Sequence, residues 1–500
     1  MVLENLQPRP VWDIFENVIA ATPRCSKHEE KIRRAIRDWL EQQDIEIEYL
    51  EDEVGNILLK VPATKRMESL PSVMIQGHLD MVCESDRAEG FDFENKPIPV
   101  RIQDNQEWVD ANGTTLGADN GIAIALALAL LTDTDEDFEH GPLELLFTVD
   151  EETGLTGAFG LDVEALGVKS KYLLNVDSED LGVITIGSAG GGGVDYNKTV
   201  ELKDPEDDLR FFSLQVSGLL GGHSGVDIHL HRANANKLVA RMLSAVLDVA
   251  APILVSWNGG TKHNAITRDS RAVFGVRESR VSAMKKALKD EQDAIMAYYH
   301  NTSPSADILE PNIEIQVVPA EPAPCFDTAL SQSIIMTANV IPHGPRRFSP
   351  EVPNLVETSC NLAIVSTEGS QVEIHISARG NDDAELDAFR RSLKNLGELG
   401  GWHVTLTPAY PGWRPEPKSD FLGYVKKHYE QVMDDDVEVE AIHAGLECGI
   451  IGAQVEGMQM VSIGPTIKNP HTPDEKIRIR DVGVIYDLLK SLVASMSDLE

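Results

Sequence analysis

The segment that decides the fold reads GIAIALALALL at residues 121–131 and LELLFTV at residues 143–149. The first run is too short to span a bilayer and is typical of a buried helix. The second has the length of a buried strand, as do SVMIQ at residues 72–76 and YLLNV at residues 172–176. Apolar strands separated by helices predict an α/β catalytic domain whose central sheet is mostly parallel and flanked by helices.

The hydrophobic pattern changes after the four glycines at residues 190–193. We interpret these glycines as a hinge or as a close approach of the backbone. Beyond it, alternating strand patterns lie between helical segments, and a chain of 500 residues is too long for one core. We therefore predict a catalytic domain formed by residues 1–189 and 406–500. A large α+β lid of two similar units, residues 190–405, would interrupt it.

The composition of the chain indicates which partners and which cellular location to expect. A net charge of -37 and a pI near 4.7 disfavour nucleic acid and anionic membranes as partners. The N-terminus has no basic region followed by an apolar run, unlike a signal peptide. The five cysteines are scattered, which is typical of reduced thiols. We expect a cytoplasmic protein that binds neither nucleic acid nor membranes.

The motif QGHLD places His78 and Asp80 two residues apart at the end of a predicted strand, so both side chains lie on one face. An imidazole is a good zinc ligand, and a carboxylate beside it can fix its tautomer. Alone, the pattern is as well explained by a structural histidine.

Acidic residues follow the other predicted elements. Asp119 immediately precedes the apolar helix, either as its N-cap or as a carboxylate able to bridge two cations. Glu151 and Glu152 end the strand LELLFTV, where two carboxylates are costly unless they are solvated or bind metal. Neighbouring strand residues point to opposite sides, so one could bind a metal while the other faces the reacting water. An exposed acidic turn is the alternative.

Two further residues complete the set. Asp177 ends the strand YLLNV, and His471 lies in the proline-constrained segment NPHTP. Each motif alone is ambiguous. Together, two histidines and several acidic residues at the strand ends of one sheet indicate a shared site, because such ends open onto a common crevice.

Five motifs, taken in their order along the chain, resemble the two-zinc exopeptidase superfamily that includes peptidase T, peptidase V and the aminoacylases. They are QGHLDMV, GTTLGADNGIA, TVDEETGLTGA, LLNVDSE and NPHTP. Within this superfamily, the branch of aminoacyl-histidine dipeptidases is similar along essentially the whole chain. The resemblance implies two zinc ions, which cobalt or manganese could replace. It also implies that Asp80 orients His78 and that Glu151 is the general base. The implied metal ligands are His78, Asp119 and Asp177 for one ion, and Asp119, Glu152 and His471 for the other.

The resemblance also implies residues that bind substrate. His223 in LGGHSG would stabilise the oxyanion, unless it is a surface turn residue. Asn264 matches an asparagine of the lid. Arg379 would bind the substrate carboxylate, with a strand-end surface charge as the alternative. Glu447 would meet the free amino group, with a solvated loop residue as the alternative.

These expectations describe a homodimeric, metal-dependent dipeptidase that hydrolyses small peptides with a free N-terminus, including Xaa-His. One alternative is an amidohydrolase of N-acyl amino acids on the same scaffold, and another is a non-catalytic metal-binding scaffold. A nucleotide- or sugar-binding protein is set aside, because residues 190–193 lack the Lys-Ser/Thr of a phosphate loop and the spacing of a dinucleotide fingerprint.

Overall fold

The computed structural model describes residues 2–43, 45–135, 138–300 and 308–499. The chain forms two compact units. The first comprises Met1–Gly187, Pro415–Ala441 and Leu446–Glu500, and the second Ser188–Arg414 and Ile442–Gly445. Residues 188–189, 406–414 and 442–445 belong to the second unit, although we predicted them to lie in the catalytic domain.

The strands are numbered in chain order. Those that precede the second unit are β1 Glu48–Glu51, β2 Ile57–Val61, β3 Val73–His78, β4 Arg101–Ile102, β5 Trp108–Asp110, β6 Leu143–Thr148, β7 Tyr172–Asn175 and β8 Val183–Thr185. Those of the second unit are β9 Gly190–Thr199, β10 Leu209–Ser217, β11 Gly222–His223, β12 Ile253–Gly259, β13 Ala265–Ile266, β14 Ser270–Arg277, β15 Glu314–Ala320, β16 Gly344–Phe348, β17 Val356–Glu368, β18 Gln371–Gly380 and β19 His403–Leu406. Those that follow are β20 Glu438–Glu440, β21 Gln459–Ser462, β22 Ile467–Lys468 and β23 Lys476–Arg478.

The α-helices are numbered in the same way. They are α1 Arg9–Ile14, α2 Glu30–Leu40, α3 Ala118–Leu130, α4 Glu151–Gly154, α5 Thr156–Phe159, α6 Ala235–Ala250, α7 Val281–Tyr299, α8 Thr328–Val340, α9 Asp383–Leu399, α10 Asp420–Met433, α11 Glu447–Gln454 and α12 Ile479–Ala494. A π-helix spans Phe15–Ile19, and short 3-10 helices span Glu278–Arg280 and Met496–Leu499. None of the helices formed by the described residues is both long enough and apolar enough to cross a bilayer.

The first unit is built on an eight-stranded sheet in the order β1-β2-β6-β3-β7-β21-β8-β20. Its central strands β6, β3, β7 and β21 run parallel, as predicted. Because parallel strands end at the same edge of a sheet, the residues that follow β3, β6 and β7 are brought together there.

Helix α3 packs against this sheet in the core of the first unit. All its residues are buried, which confirms the buried helix predicted from the run of alanine and leucine. An isolated helix of this length is marginal in water, so packing of its apolar surface stabilises it. The helix therefore gives the loop at its N-terminus a rigid support.

The second unit is an antiparallel sheet in the order β15-β10-β14-β12-β17-β18-β9-β19, with β16 beside β17. Helix α6 packs near β10 and β14, α7 packs near β14, and α9 packs near β18, β9 and β19. The sheet thus has two halves, each covered by helices, as expected for an α+β lid.

The glycine run lies inside strand β9 and is not a hinge. An added Cβ at Gly191 would lie 2.6 Å from the Tyr410 hydroxyl, and one at Gly192 would lie 2.6 Å from the Arg390 guanidinium. Both distances are shorter than real Cβ contacts. The close approach of side chains to this strand therefore requires glycine, which is the second of the two interpretations.

The expectation that all cysteines are reduced thiols is wrong for two of them. Cys25 and Cys83 form a disulfide in the first unit, although they are 58 residues apart in sequence. Cys325, Cys360 and Cys448 are buried free thiols. The sequence does not predict this pair, because the two cysteines do not belong to a motif with a characteristic spacing. The β-bridge between Cys25 and Met81 brings the two segments together.

Candidate metal and substrate sites

His78 and Asp80 lie at the end of β3 and are almost completely buried. The Oδ1 atom of Asp80 is 3.2 Å from Nδ1 of His78, so the carboxylate orients the ring. The same carboxylate accepts the backbone N–H groups of Glu151 at 3.0 Å and Glu152 at 3.2 Å. Asp80 therefore positions both the imidazole and the segment that carries the two glutamates.

Asp119 is not the N-cap of α3. The N-cap is Gly117, and Asp119 has φ -78° and ψ 107°, outside the helical region. Its carboxylate instead has one oxygen 3.1 Å from Nε2 of His78 and the other 2.9 Å from Nε2 of His471. Asp119 thus lies between the two histidines, as a bridging carboxylate would.

The remaining predicted ligands complete two adjacent groups. Oδ1 of Asp177 is 3.5 Å from Nε2 of His78, and Oε2 of Glu152 is 3.0 Å from Nε2 of His471. One group is His78, Asp119 and Asp177, the other is Asp119, Glu152 and His471, and within each group the ligand atoms lie within 4.8 Å of one another. We call these five residues the metal-ligand cluster.

The cluster fits divalent cations on two further observations. Oε1 of Glu152 is buried without a hydrogen-bond partner, although such an atom is costly to leave unsatisfied. The carboxylates of Asp119 and Glu152 accept hydrogen bonds from His471 and raise its pKa to about 11. Three carboxylates thus draw positive charge toward the centre of the cluster, and nitrogen and oxygen donors of this kind suit zinc, cobalt or manganese.

Glu151 and Glu152 do not end a strand, as the sequence analysis expected. Strand β6 ends at Thr148, Asp150 turns the chain with φ 50°, and both glutamates lie in the first turn of α4. Burial raises the pKa of Glu151 well above its usual range; His78 opposes this shift, and Asp177 and Glu152 reinforce it. Glu151 therefore has a high proton affinity beside the cluster.

Glu447 is the first residue of α11 and is fully buried, so it is not a solvated loop residue. Its Oε2 accepts hydrogen bonds from Nε2 of Gln76 at 2.7 Å and from the hydroxyl of Thr148 at 2.6 Å. Its Oε1 is buried and has no hydrogen-bond partner. Burial raises its pKa to about 7. One carboxylate oxygen is therefore held in place and the other is left to accept a donor.

Sequence reasoning missed Glu475, which supports the loop before α3. Its carboxylate accepts the backbone N–H groups of four consecutive residues, from Leu116 to Asp119, at 2.8 to 3.2 Å. Burial raises its pKa to about 7, and these amide donors oppose that shift. Glu475 lies four residues after His471, so one short segment supplies a ligand and holds the backbone of another ligand.

Arg24 was also missed. Its guanidinium is buried and donates to the carbonyl oxygens of Leu79 at 3.0 Å, Asp80 at 2.8 Å, and Gly117. Arg24 thereby ties the segment after β3 to the loop before α3. Neither Arg24 nor Glu475 belongs to a periodic pattern, so hydrophobic periodicity could not identify them. The one signal in the sequence was that Glu475 lies close after His471.

In the second unit, the backbone defines the tautomer of His223. The N–H groups of Gly225 and Val226 point at its Nδ1 at 3.3 and 3.1 Å, so Nδ1 accepts and the proton lies on Nε2. Burial and the charge of Arg379 lower the pKa of His223 to about 4. His223 is therefore a neutral hydrogen-bond donor and not a surface turn residue.

Arg379 is the last but one residue of strand β18 and is only 7% exposed, unlike a surface charge. Its Nη1 donates to the hydroxyl of Tyr410 at 2.8 Å, and its Nε is buried without a partner. Its Nη2 lies 3.3 Å from Nε2 of His223, so two donors face each other. An anionic group accepting from both would resolve this conflict, and we call His223 and Arg379 the donor pair.

Asn264 lies in the turn before β13, which pairs His223 with Ala265. Its backbone carbonyl accepts the N–H of Ser224 at 2.8 Å, and its side chain is exposed. The structure thus places the backbone of Asn264 beside the donor pair, with its amide open to solvent.

Comparison with known proteins adds three findings. Residues 74–495 match the model of peptidase family M20/M25/M40. The cytosol non-specific dipeptidase of Escherichia coli strain K12 is 38% identical over 98% of this chain and 98% of its own. The crystal structure of aminoacylhistidine dipeptidase from Vibrio alginolyticus superposes with a TM-score of 0.87 at 35% identity, covering 99% of this chain and 98% of that one.

A more distant structure shows the fold alone. Aminopeptidase PepT from Bacillus cereus superposes with a TM-score of 0.56 at 16% identity, over 98% of this chain and 99% of its own.

Proposed function

Because the chain belongs to peptidase family M20/M25/M40, a family of peptide hydrolases, we propose that it is a dipeptidase that acts with two divalent metal ions. The observation that carries the proposal is Asp119, whose two carboxylate oxygens face His78 on one side and His471 on the other. A carboxylate in this position suits two cations that share a ligand. The Escherichia coli relative is named a dipeptidase, which supports the same substrate class.

In this proposal, His78, Asp119 and Asp177 would hold one ion, and Asp119, Glu152 and His471 would hold the other. The ions, zinc in the first instance with cobalt or manganese as replacements, would polarise the scissile carbonyl and lower the pKa of a water molecule. Asp80 keeps Nε2 of His78 available by holding Nδ1.

Glu151 is the proposed general base. Its side chain adjoins the metal-ligand cluster, and burial raises its pKa, so it can take a proton from water near neutral pH. The same carboxyl group then passes that proton to the leaving amine. Without this transfer the amine would leave as an unstable anion.

The free amino group of the substrate is assigned to Glu447. The unpaired Oε1 of this buried carboxylate lacks a donor, and a substrate ammonium would supply one. An N-acylated substrate brings no positive charge to this carboxylate. Glu447 therefore favours a dipeptide over an N-acyl amino acid.

The donor pair of the second unit is assigned to the anionic groups of the substrate. His223 would donate Nε2–H to the oxyanion of the tetrahedral intermediate, and Arg379 would bind the C-terminal carboxylate through its guanidinium fork. Asn264 would assist in the same region. What supports these roles is that Nε2–H of His223 and Nη2 of Arg379 face each other with no acceptor between them.

Hydrolysis of Xaa-His dipeptides, a cytoplasmic location and a homodimer remain parts of this proposal. The motif resemblance supports all three. The names of the relatives, one a cytosol dipeptidase and one an aminoacylhistidine dipeptidase, support only the substrate and the location.

The test is a substrate panel on chelated protein to which zinc, cobalt or manganese is restored in turn. We expect hydrolysis of Ala-His and Ala-Ala only with a restored metal, and at least 100-fold slower cleavage of N-acetyl-Ala-His. Faster cleavage of the acetylated peptide would instead indicate the amidohydrolase. No cleavage with any metal would contradict a catalytic function.

A further inference from the structure

Three buried polar side chains form a hydrogen-bonded group with the carboxylate of Glu447 in the first unit. Gln76, Thr148 and Asn175 are at most 1% exposed. They lie on three neighbouring strands of the central sheet, β3, β6 and β7. Burying polar groups is costly unless they are hydrogen-bonded, so each of them has to find partners within the protein. We call these three residues the support network.

The register of the sheet places the support network next to the metal ligands. Gln76 lies two residues before His78 on β3, and alternate residues of a strand share a face. Thr148 is paired with His78, and Asn175 is paired with Gln76. The strands that lead to the metal-ligand cluster therefore also carry the support network.

The carboxylate of Glu447 determines the direction of the hydrogen bonds in the network. An ionised carboxylate only accepts, so the group of Gln76 that lies 2.7 Å from Oε2 of Glu447 is its NH2. The carbonyl oxygen of Gln76 then faces Asn175, whose Nδ2 donates to it at 2.6 Å. Reversing the Gln76 amide would set oxygen against oxygen at Glu447 and NH2 against NH2 at Asn175. The Gln76 side chain is therefore held in one orientation from both ends.

Two donors of the network reach the same oxygen of Glu447. The hydroxyl of Thr148 donates to Oε2 at 2.6 Å, and Nε2 of Gln76 donates both to Oε2 and, at 3.2 Å, to that hydroxyl. The other oxygen, Oε1, has no hydrogen-bond partner in the part of the chain that the structure describes. Two donors on one oxygen oppose rotation of the carboxylate. The network thus leaves one defined oxygen free to accept from an ammonium group.

We propose that Gln76, assisted by Thr148 and Asn175, is a positioning residue for recognition of the free amino group of the substrate. The proposal rests on the proposed function, because it takes Glu447 to bind that amino group. Gln76 acts through Glu447: it holds Oε2, so that Oε1 meets the ammonium. Without this support the carboxylate loses its fixed orientation, and the amino group contributes less to substrate binding.

The experiment compares kcat/KM for Ala-His and for propionyl-His, the same molecule without its amino group, on the metal-loaded enzyme. Gln76→Met keeps a side chain of similar length and removes its donor and its acceptor. We expect the ratio of Ala-His to propionyl-His to fall about tenfold, through a higher KM for Ala-His. The kcat/KM for propionyl-His and the metal content should equal those of the wild type. An unchanged ratio, or an equal loss for both substrates, would overturn the proposal.

The matched control is Gln454→Met, the same substitution on α11, the helix that begins at Glu447. Nε2 of Gln454 donates to the carbonyl oxygen of Ala158 at 2.6 Å and does not contact Glu447. We expect the ratio of Ala-His to propionyl-His to be unchanged. A fall as large as that in Gln76→Met would overturn the proposal, because a loosened α11 would then explain both results.

A second pair of variants keeps the proposal testable if Gln76→Met does not fold. Thr148→Val removes the hydroxyl that donates to Glu447, whereas Thr148→Ser retains it. We expect the ratio of Ala-His to propionyl-His to fall about threefold in Thr148→Val and to stay at the wild-type value in Thr148→Ser. Equal ratios in the two variants would overturn the role of the network.

Glu447→Gln separates this proposal from the proposed function. We expect it to lose most of the preference for Ala-His over propionyl-His. If it kept that preference, Glu447 would not bind the amino group, and both the proposed role of Glu447 and this inference would be wrong. A lost preference in Glu447→Gln together with a wild-type ratio in Gln76→Met would refute the positioning role alone.

Discussion

The metal-ligand cluster and the donor pair are opposites in their hydrogen-bonding chemistry. In the cluster, Asp119, Glu152 and Asp177 supply acceptors in excess of donors, and one oxygen of Glu152 is buried without a partner. In the donor pair, Nε2–H of His223 and Nη2 of Arg379 face each other without an acceptor. Each site is therefore incomplete in a specific sense: the first has acceptors that lack a donor or a cation, and the second has donors that lack an acceptor.

The two sites also differ in how they are held. Buried charged groups hold the cluster: Asp80, Glu475 and Arg24 all bond to backbone atoms of the ligand-bearing segments. The donor pair is held by two backbone amides on His223 and by one hydroxyl on Arg379. We therefore expect substitutions near the cluster to be the more damaging.

The largest expected effect tests whether Glu151 acts as the general base beside the metal-ligand cluster or only supports its structure. Glu151→Gln removes the proton acceptor and keeps the shape, so we expect kcat to fall by roughly 3 orders of magnitude or more. Metal content, measured by mass spectrometry, should equal that of the wild type. Exposed Glu164→Gln is the control with full activity. A Glu151→Gln enzyme at wild-type rate would mean that another residue is the base.

A smaller effect tests how the cluster is held. In Glu475→Gln, an amide NH2 replaces one carboxylate oxygen and leaves about two of the four backbone N–H groups unpaired. We expect the free energy of unfolding to fall by roughly 2–4 kcal/mol, measured by urea denaturation.

The metal affinity of Glu475→Gln should fall as well, because Asp119 loses its support; equilibrium dialysis measures this. Glu41→Gln, an exposed residue at the end of α2, is the matched control. Unchanged metal affinity in a destabilised Glu475→Gln protein would show that the contact stabilises the fold without positioning the ligand.

The smallest expected effect concerns the neutral histidines around the donor pair. His443, whose ring nitrogens contact Asn381 and Ser359, has its pKa lowered to about 3 by burial and by the charge of Arg379. The unfolded chain binds this proton near pH 6.5, so stability is complete above that pH and is lost as the pH falls toward the folded pKa. We expect His443 alone to account for about 1–2 kcal/mol of the stability lost between pH 7 and pH 5.

The measurement is urea denaturation at both pH values. His443→Gln should lose less stability on acidification than the wild type, whereas His403→Gln, an exposed residue of β19, should behave like the wild type. Equal losses in all three proteins would contradict the assignment of a neutral buried His443.

Much of the α/β fold and the gathering of the ligands followed from short-range patterns. The runs that became β3, β6 and β7 are mostly apolar, and such runs are typical of strands covered on both faces. Parallel neighbours of this kind end at one edge, so residues such as His78 and Asp177 had to be close. The general architecture of the lid was predictable for a similar reason, from its alternating strands.

Other features depended on contacts between segments that are far apart along the chain. Glu475 binds amides some 356 to 359 residues away, and the Cys25–Cys83 disulfide joins segments that carry no common motif. The placement of Glu151 in a helical turn depended on Asp150 adopting a positive φ. Hydrophobic periodicity reports which face of an element is buried, but not which partner a polar group meets there. That choice is made only when the chain has folded and each buried donor or acceptor must find a partner.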